Sequence, residues 1–229
     1  MKQFKCSMSK KKESLAKKRS EKRTVQPPSY DVYTYDELSD QAKEKARERV
    51  KDRILQWRDG SSDVFTDSCV TTLNELFPNS DLKVQYDLSY SQGDGFNTYG
   101  KLKATDLIDV DFEKYPLGGT NIKPLSDKNA IKDVCEKAGI FDITLENNLR
   151  YCYSLADRIE LDRTYEDELS EDEIKLLDEL ETFAQDVMGH INSQLEDDGY
   201  NWFYEVTDED IQEEISSQEL EFTEDGEIE

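Results

Sequence analysis

The segment from Ser170 to Gly199 constrains the fold most. Ile174, Leu177, Leu180, Phe183 with Ala184, Val187, Ile191 and Leu195 recur at three- and four-residue steps, the spacing of one buried helix face. Ser170 followed by Glu173 forms a capping box, and Gly199 is a stop signal. The spacing predicts a helix over Glu171–Asp198, about 42 Å long at 1.5 Å per residue.

Other elements follow from the same rules. Thr34 with Glu37 is a second capping box, with Ser39 capping a continuation, and Ala42, Ala46, Val50 and Ile54 repeat every four residues behind it. Lys43, Arg47, Lys51 and Lys45, Arg49, Arg53 flank that stripe and can lay their stems over the core edge. A second helix is expected over Val64–Leu76, stopping at Pro78. Val84, Tyr86, Leu88 and Tyr90 then alternate with polar residues, a strand with one buried face. The turn residues "SQGDG" hand it to a partner strand over Phe96–Ala104. "SDKNAIKDVCEKAG" is a helix with Ser126 as candidate N-cap and Gly139 just past its end. A further helix is expected from about Leu145 to Leu161. "YNWFYEV" reads as a strand with Tyr200, Trp202 and Tyr204 on one face and Phe203 on the other. "TDEDIQEEISSQ" is a short helix capped by Thr207, and "LEFTEDG" a short terminal strand or extended segment.

This order predicts an α+β fold: a small antiparallel sheet packed by several helices, with a long helix in the C-terminal half. Residues 1–28 end in "VQPP", two prolines that stop any helix. They are read as a mobile basic arm carrying Lys10, Lys11, Lys12, Lys17, Lys18, Arg19, Lys22 and Arg23. Residues 29–229 are read as a single α+β domain with a strongly acidic C-terminal third.

Charge divides by position. The chain of 229 residues has a net charge of -24. Residues 1–24 hold ten Lys or Arg and two Glu, whereas from residue 155 onward 28 acids face only Arg158, Arg163 and Lys175. Aromatic residues at 10% argue against wholesale disorder. No apolar run reaches the length of a membrane span, and the charged N-terminus lacks the apolar centre of a signal peptide. The expectation is a soluble protein of the cytoplasm with no membrane contact.

Templates for chemistry fail in turn. Cys6, Cys69, Cys135 and Cys152 form no C-x-x-C pair, and His190 is the one histidine, so separate reduced thiols and a structural histidine are expected, with no metal site. The glycines of "SQGDGFNTYG" precede a strand where a phosphate loop precedes a helix. "DLIDVDFEKY" and "DEDIQEE" lack the sixth-position Gly of an EF-hand loop. No G-x-S-x-G or Cys–His arrangement is present. No catalytic residue and no cofactor is expected, which leaves a binding protein. An enzyme built on a dispersed carboxylate pair is the third class, behind two kinds of binder.

The acids point to a partner class. Asp172, Glu179 and Asp186 recur every seven residues, about 10.5 Å apart on a helix, with Glu171 and Asp178 beside them. Asp208, Glu209 and Asp210 extend the field. Carboxylates held this way suit a protein groove built for phosphates, in the manner of a nucleic-acid mimic. Trp202 and Phe203 are the candidate aromatic hot spot of such an interface. The basic arm has three open roles: folding onto the acidic body, touching nucleic acid, or reaching an acidic patch on a partner.

Tyr33–Val50, Leu88–Gly95 and the closing Glu219–Glu229 together resemble a loose group of small acidic proteins encoded by tailed phages and prophages. The basic leader is not a feature of that group. The resemblance implies an accessory protein of the host-cell cytoplasm, of the kind that inhibits host machinery such as CRISPR nucleases and restriction enzymes. It carries over no catalytic residue. The expectation is therefore a non-enzymatic inhibitor of a host nucleic-acid-binding protein or nuclease complex. The runner-up is a phage structural or assembly-associated protein whose basic arm contacts nucleic acid or a neighbouring subunit. The oligomeric state is not fixed by sequence.

Overall fold

The computed structural model describes residues 31–91, 94–111, 122–146, 159–161, 163–164 and 168–229. The basic arm from Lys10 to Arg23 lies outside them. The chain forms two compact units, one ending at Arg49 and completed by Gln218–Glu229, the other spanning Val50–Ser217.

In the first unit the Thr34 box closes a single 3-10 turn, Tyr35–Glu37. The Glu37 carboxylate accepts from the Thr34 N–H at 2.8 Å and from its hydroxyl at 2.9 Å. The expected continuation capped by Ser39 is a separate helix. Leu38 takes extended backbone and buries its side chain, and Ser39 starts α1 (Asp40–Gly60) by accepting from the Ala42 N–H. The chain end then closes over the first half of α1. Phe222 exchanges both backbone bonds with Tyr33 at 2.8 and 2.9 Å and also pairs with Ile228. Gly226, at φ +86°, lies so close that a Cβ would stand 2.2 Å from the Ala42 carbonyl oxygen, so only glycine fits the turn. Lys45 pairs with Asp225 and Glu227 at 2.9 Å each, and Arg49 with Glu227 at 2.7 Å.

The second unit is built on a four-stranded antiparallel sheet in the order β1 (Asp81–Asp87), β2 (Gly95–Lys103), β3 (Asp142–Leu145), β4 (Ile159–Leu161). Register places Leu82, Val84 and Tyr86 opposite Gly100, Thr98 and Phe96, and Leu102 opposite Ile143, which in turn faces Leu161. Directly opposed residues share a face, so these side chains make one continuous, largely apolar surface. Helices α2 (Ser62–Leu76), α3 (Ala104–Asp109), α4 (Lys128–Ala138) and α5 (Glu171–Tyr204) complete the core with it. Asn192 of α5 ties helix to sheet by accepting from the Thr98 N–H at 3.1 Å and the Thr98 hydroxyl at 2.7 Å.

Three expectations are corrected. The helix expected from about Leu145 to Leu161 is corrected at its two ends: Leu145 closes strand β3 and Ile159–Leu161 form strand β4, because Ile143 with Leu145 and Ile159 with Leu161 bury every second side chain. The stretch between them lies outside the described residues. The α4 cap is Asp127, whose carboxylate accepts from the Asn129 and Ala130 N–H groups, not Ser126. Gly139 at φ +69° does end α4 as expected. Most consequentially, α5 does not stop at Gly199. It runs on through "YNWFY" to Tyr204, 34 residues and about 51 Å in all, so the strand expected there is its last turn and a half. Gly199 is a packing device: a Cβ there would lie 2.3 Å from Leu88 Cδ1 and 3.1 Å from the Phe65 ring. Helix α6 (Asp208–Ser217) follows with the expected Thr207 cap, reciprocated by Asp210.

No helix among the described residues is long and apolar enough to cross a membrane.

Candidate interaction surface

Five acids of the first half of α5, Asp172, Glu173, Asp178, Glu179 and Glu181, are bound to neighbours. Glu173 closes the Ser170 cap and takes the Lys137 ammonium at 2.8 Å. These contacts, Lys137 first and the Ser170 N–H and hydroxyl after it, hold its carboxyl down at about 2. Asp172 pairs with Lys175 at 2.8 Å. Arg163 bridges Asp178 at 2.8 Å and Glu181 at 2.5 Å. Glu179 accepts from the Ser126 N–H at 2.7 Å and hydroxyl at 2.6 Å, fixing the loop before α4. Asp178, Glu179 and Asp186 line a groove of about 420 Å³ whose rim also carries Lys123 and Lys175. On α6, Asp210 closes the Thr207 cap and reaches Arg58 at 3.3 Å, while Asp208 and Glu209 are exposed in the first turn. Glu171, Asp172, Asp178 and Asp186 are exposed as well.

The structure thus brings Asp172, Glu179 and Asp186 onto one helix face and adds cations to it. Two of the eight acids singled out from sequence, Glu179 and Asp210, hold backbone N–H groups in place. A carboxylate fixed by its own bonds loses little freedom on meeting a partner, yet its field is partly cancelled by the adjacent cation.

Trp202 and Phe203 are half-buried, not an exposed hot spot. Trp202 stacks on Phe65 at 6.3 Å between centroids and carries Arg58 over its ring at 5.1 Å. Phe203 meets Phe65 edge-on at 5.5 Å. Arg58 also donates to the Trp202 and Glu205 carbonyls, satisfying the end of α5.

The exposed aromatic face lies elsewhere on the same turns. Tyr90 sits in the β1–β2 connection, 70% exposed and with left-handed backbone at φ 56°. Its ring centroid lies 4.6 Å from that of Tyr200 and 4.7 Å from that of Tyr204. The Tyr204 hydroxyl donates to the Leu88 carbonyl, and the Tyr200 hydroxyl donates to Asp94 at 3.2 Å. Asp94 also accepts from the Ser91 N–H at 2.6 Å and hydroxyl at 2.7 Å, and from Ser89 at 3.2 Å. Burial opposes its ionisation, but these donors hold its carboxyl below the usual range. The Tyr200 phenol is pushed up to about 12 by burial and by its anionic neighbours Asp94 and Glu196. Glu196 and Asp198 are raised by burial and then by the charge of Asp197. Among the described residues, no Lys or Arg pairs with Asp87, Asp94, Glu196, Asp197 or Asp198.

Sequence reading missed this triad through a choice of period. On a strand Tyr200, Trp202 and Tyr204 share a face; on a helix Tyr200 and Tyr204 do, and Trp202 turns away.

The remaining candidates are structural where they are described. Asp106 of "DLIDVDFEKY" accepts from the Asn79 N–H, the Asn79 amide and the Ser80 hydroxyl. Burial pushes the Cys69 thiol up to about 12 and the Cys135 thiol to about 11, away from the reactive thiolate form. Cys6 and Cys152 lie outside the described residues. His190 is half-buried on α5. Among the described residues, no three His, Cys, Asp or Glu side chains converge as a metal site would require.

Compared with protein families, curated proteins and solved structures, the chain matches none.

Proposed function

We propose that this chain is a non-enzymatic binding protein that occupies a basic, nucleic-acid-binding surface of a host protein, acting as a nucleic-acid mimic. The observation that carries this reading is the row of exposed carboxylates on a 34-residue helix, each at a fixed height on a rigid rod. Helix α5 carries ten carboxylates and one lysine. Duplex DNA presents about one charge per 1.7 Å of axis, so the helix is a sparser rod and meets some of a channel's cations, not all. The phage resemblance of Tyr33–Val50, Leu88–Gly95 and Glu219–Glu229 supports a nuclease complex of host defence, such as a CRISPR effector, as the target, and the host cytoplasm as the place.

The test is capture from host lysate by full-length protein, with and without competing duplex DNA. The expected result is a nucleic-acid-processing protein that DNA displaces. Reversing Asp172, Asp186 and Glu209 to Lys is expected to weaken capture at least tenfold, with a strong dependence on salt. Capture that survives these changes but is lost on deleting residues 1–27 would replace the mimic with an arm-led assembly protein.

A further inference from the structure

The end of α5 presents a second kind of surface. Tyr90, Tyr200 and Tyr204 form one aromatic patch, ringed by Asp87, Asp94 and Glu196. We propose that this patch is a docking site for an arginine side chain of a partner protein, the guanidinium lying on the outer face of Tyr90 with its N–H groups directed to Asp94 and Asp87. The proposal rests on the reading above only in taking the partner's surface to be basic.

Three observations carry it. The first is exposure: Tyr90 keeps 70% of its surface in solvent although its backbone is left-handed, a conformation a tyrosine rarely adopts. The ring is held out, not folded in. The second is anchoring. Tyr204 is fastened to the Leu88 carbonyl and Tyr200 to Asp94, so the two rings beneath Tyr90 are fixed from both sides. Ring centroids 4.6 and 4.7 Å apart leave no slot between rings, so a cation lies on the outside of the stack. The third is uncompensated charge. Ser89 has one hydroxyl proton, and its oxygen lies 2.9 Å from Asp87, 3.2 Å from Asp94 and 3.0 Å from the Ser91 hydroxyl. It serves one of them at a time; Asp94 has neutral donors besides it in Ser91 and Tyr200, and among the described residues neither Asp87 nor Asp94 is paired with a lysine or arginine.

A planar cation answers all three. The negative face of a tyrosine ring attracts it. Guanidinium stacks on the ring and donates in its own plane, which an ammonium on a flexible stem does less well. The same carboxylates repel phosphate, so a nucleobase stacked on Tyr90 would bring its backbone charge against Asp94.

The probe is a nine-residue peptide with three arginines spaced by glycine and serine, titrated into the full-length protein and followed by calorimetry and by the tyrosine ring resonances. The expected result is saturable binding that shifts the Tyr90, Tyr200 and Tyr204 rings. Tyr90→Ala and Asp94→Asn each weaken it at least fivefold, while Glu136→Gln, exposed on α4, leaves it within twofold. The lysine twin of the peptide binds several-fold more weakly. Tyr90→Leu, which keeps apolar bulk and loses the ring, is expected to match Tyr90→Ala and guards against a loss caused by unfolding. Unchanged affinity in both Tyr90 variants, still rings, or preferred binding of a single-stranded oligonucleotide at these tyrosines would each overturn the site. Capture of a DNA-displaceable host protein by the Tyr90 variants at full strength would sink this site while leaving the mimic reading intact. Peptide binding without any such capture would do the reverse.

Discussion

The two ends of α5 use the same residue types for opposite purposes. In its first turns Asp172, Glu173 and Asp178 each meet a lysine or arginine, and Glu173 also closes a cap. In its last turns Glu196, Asp197 and Asp198 follow one another, and among the described residues no cation pairs with them. The helix dipole sharpens the contrast. Carboxylates stabilise a helix near its N-terminus and disfavour it near its C-terminus. Asp172 and Glu173, in the first turn, therefore stabilise the fold, while Glu196 and Asp198 are raised by burial and by Asp197, so that their charges are carried against it. An uncompensated cluster beside exposed aromatics is what a surface kept for a partner looks like. Net charge alone does not distinguish the two ends; their neighbours do.

The largest test of that contrast is steric. Gly199→Val would place a branched side chain where Leu88 and the Phe65 ring now stand. Overpacking of this kind costs about 1–3 kcal/mol, and β-branching adds a helix penalty. The expected outcome is a melting temperature lower by several degrees, with the Tyr90 and Tyr204 ring resonances displaced. A neutral variant would mean that Gly199 does not set the approach of the β1–β2 connection, and the second end would lose its architectural basis.

A smaller effect is expected from Tyr204→Phe. The ring stays and the hydroxyl that donates to the Leu88 carbonyl goes. Losing one such bond costs about 0.5–1.5 kcal/mol. Faster amide exchange should be confined to Leu88–Ser91. Uniform loss of protection across the sheet would show that the bond supports the core and not the patch.

How much of this was legible in sequence follows from what each signal reports. The heptad row and the Ser170 cap need only one helix, and both stand as read. The alternation of Val84, Tyr86, Leu88 and Tyr90 and its return strand need only two adjacent strands, and β1 and β2 form that hairpin, but β1 ends at Asp87 and leaves Leu88 and Tyr90 in the connection. Gly139 and Gly199 look alike in sequence. One ends a helix in left-handed backbone and the other sits inside one, because the distinction lies in Leu88 and Phe65, more than a hundred residues away. Leu145 and Ile159–Leu161 read as the ends of a helix for a related reason. Short apolar runs have no period of their own until a neighbouring strand supplies a register. The acid row was legible as a row. The cations that share its face, Lys123, Lys137 and Arg163, come from other elements and carry no local mark.

Titration sharpens the comparison further. The Glu173 carboxyl, held at about 2 by Lys137 and the Ser170 cap, contributes stability that is present above the ordinary glutamate range and is lost as pH falls toward 2. Glu196 and Asp198 are raised, by burial first and by Asp197 second. Their protonated forms are favoured by the fold, so acidification adds stability at that end and raising the pH through their folded pKa removes it. Asp94, held low by its donors, works in the same sense as Glu173. Carboxyl carbon resonances followed from pH 7 to 2 should show Glu173 titrating last, and Glu196 and Asp198 above the range of free carboxylates. The same order at both ends would erase the distinction.

The smallest prediction is the most direct, because it asks for a difference in sign. Asp172→Asn removes the partner of Lys175 and a negative charge from the first turn of α5, where the dipole welcomes it. Both partners are largely exposed, and exposed pairs contribute little, so the expected fall in melting temperature is on the order of 1 °C. Asp197→Asn removes the middle charge of a run of three near the other end, the charge that raises both Glu196 and Asp198. The expected change is a rise of similar size. Both shifts should shrink in salt, since both are electrostatic. If each variant lowers the melting temperature, the acids of the last turns stabilise the helix as those of the first turns do, and the claim that they are held for a partner fails. If Asp197→Asn raises stability and also weakens the arginine peptide, the same charge is shown to act against the fold and in favour of the contact.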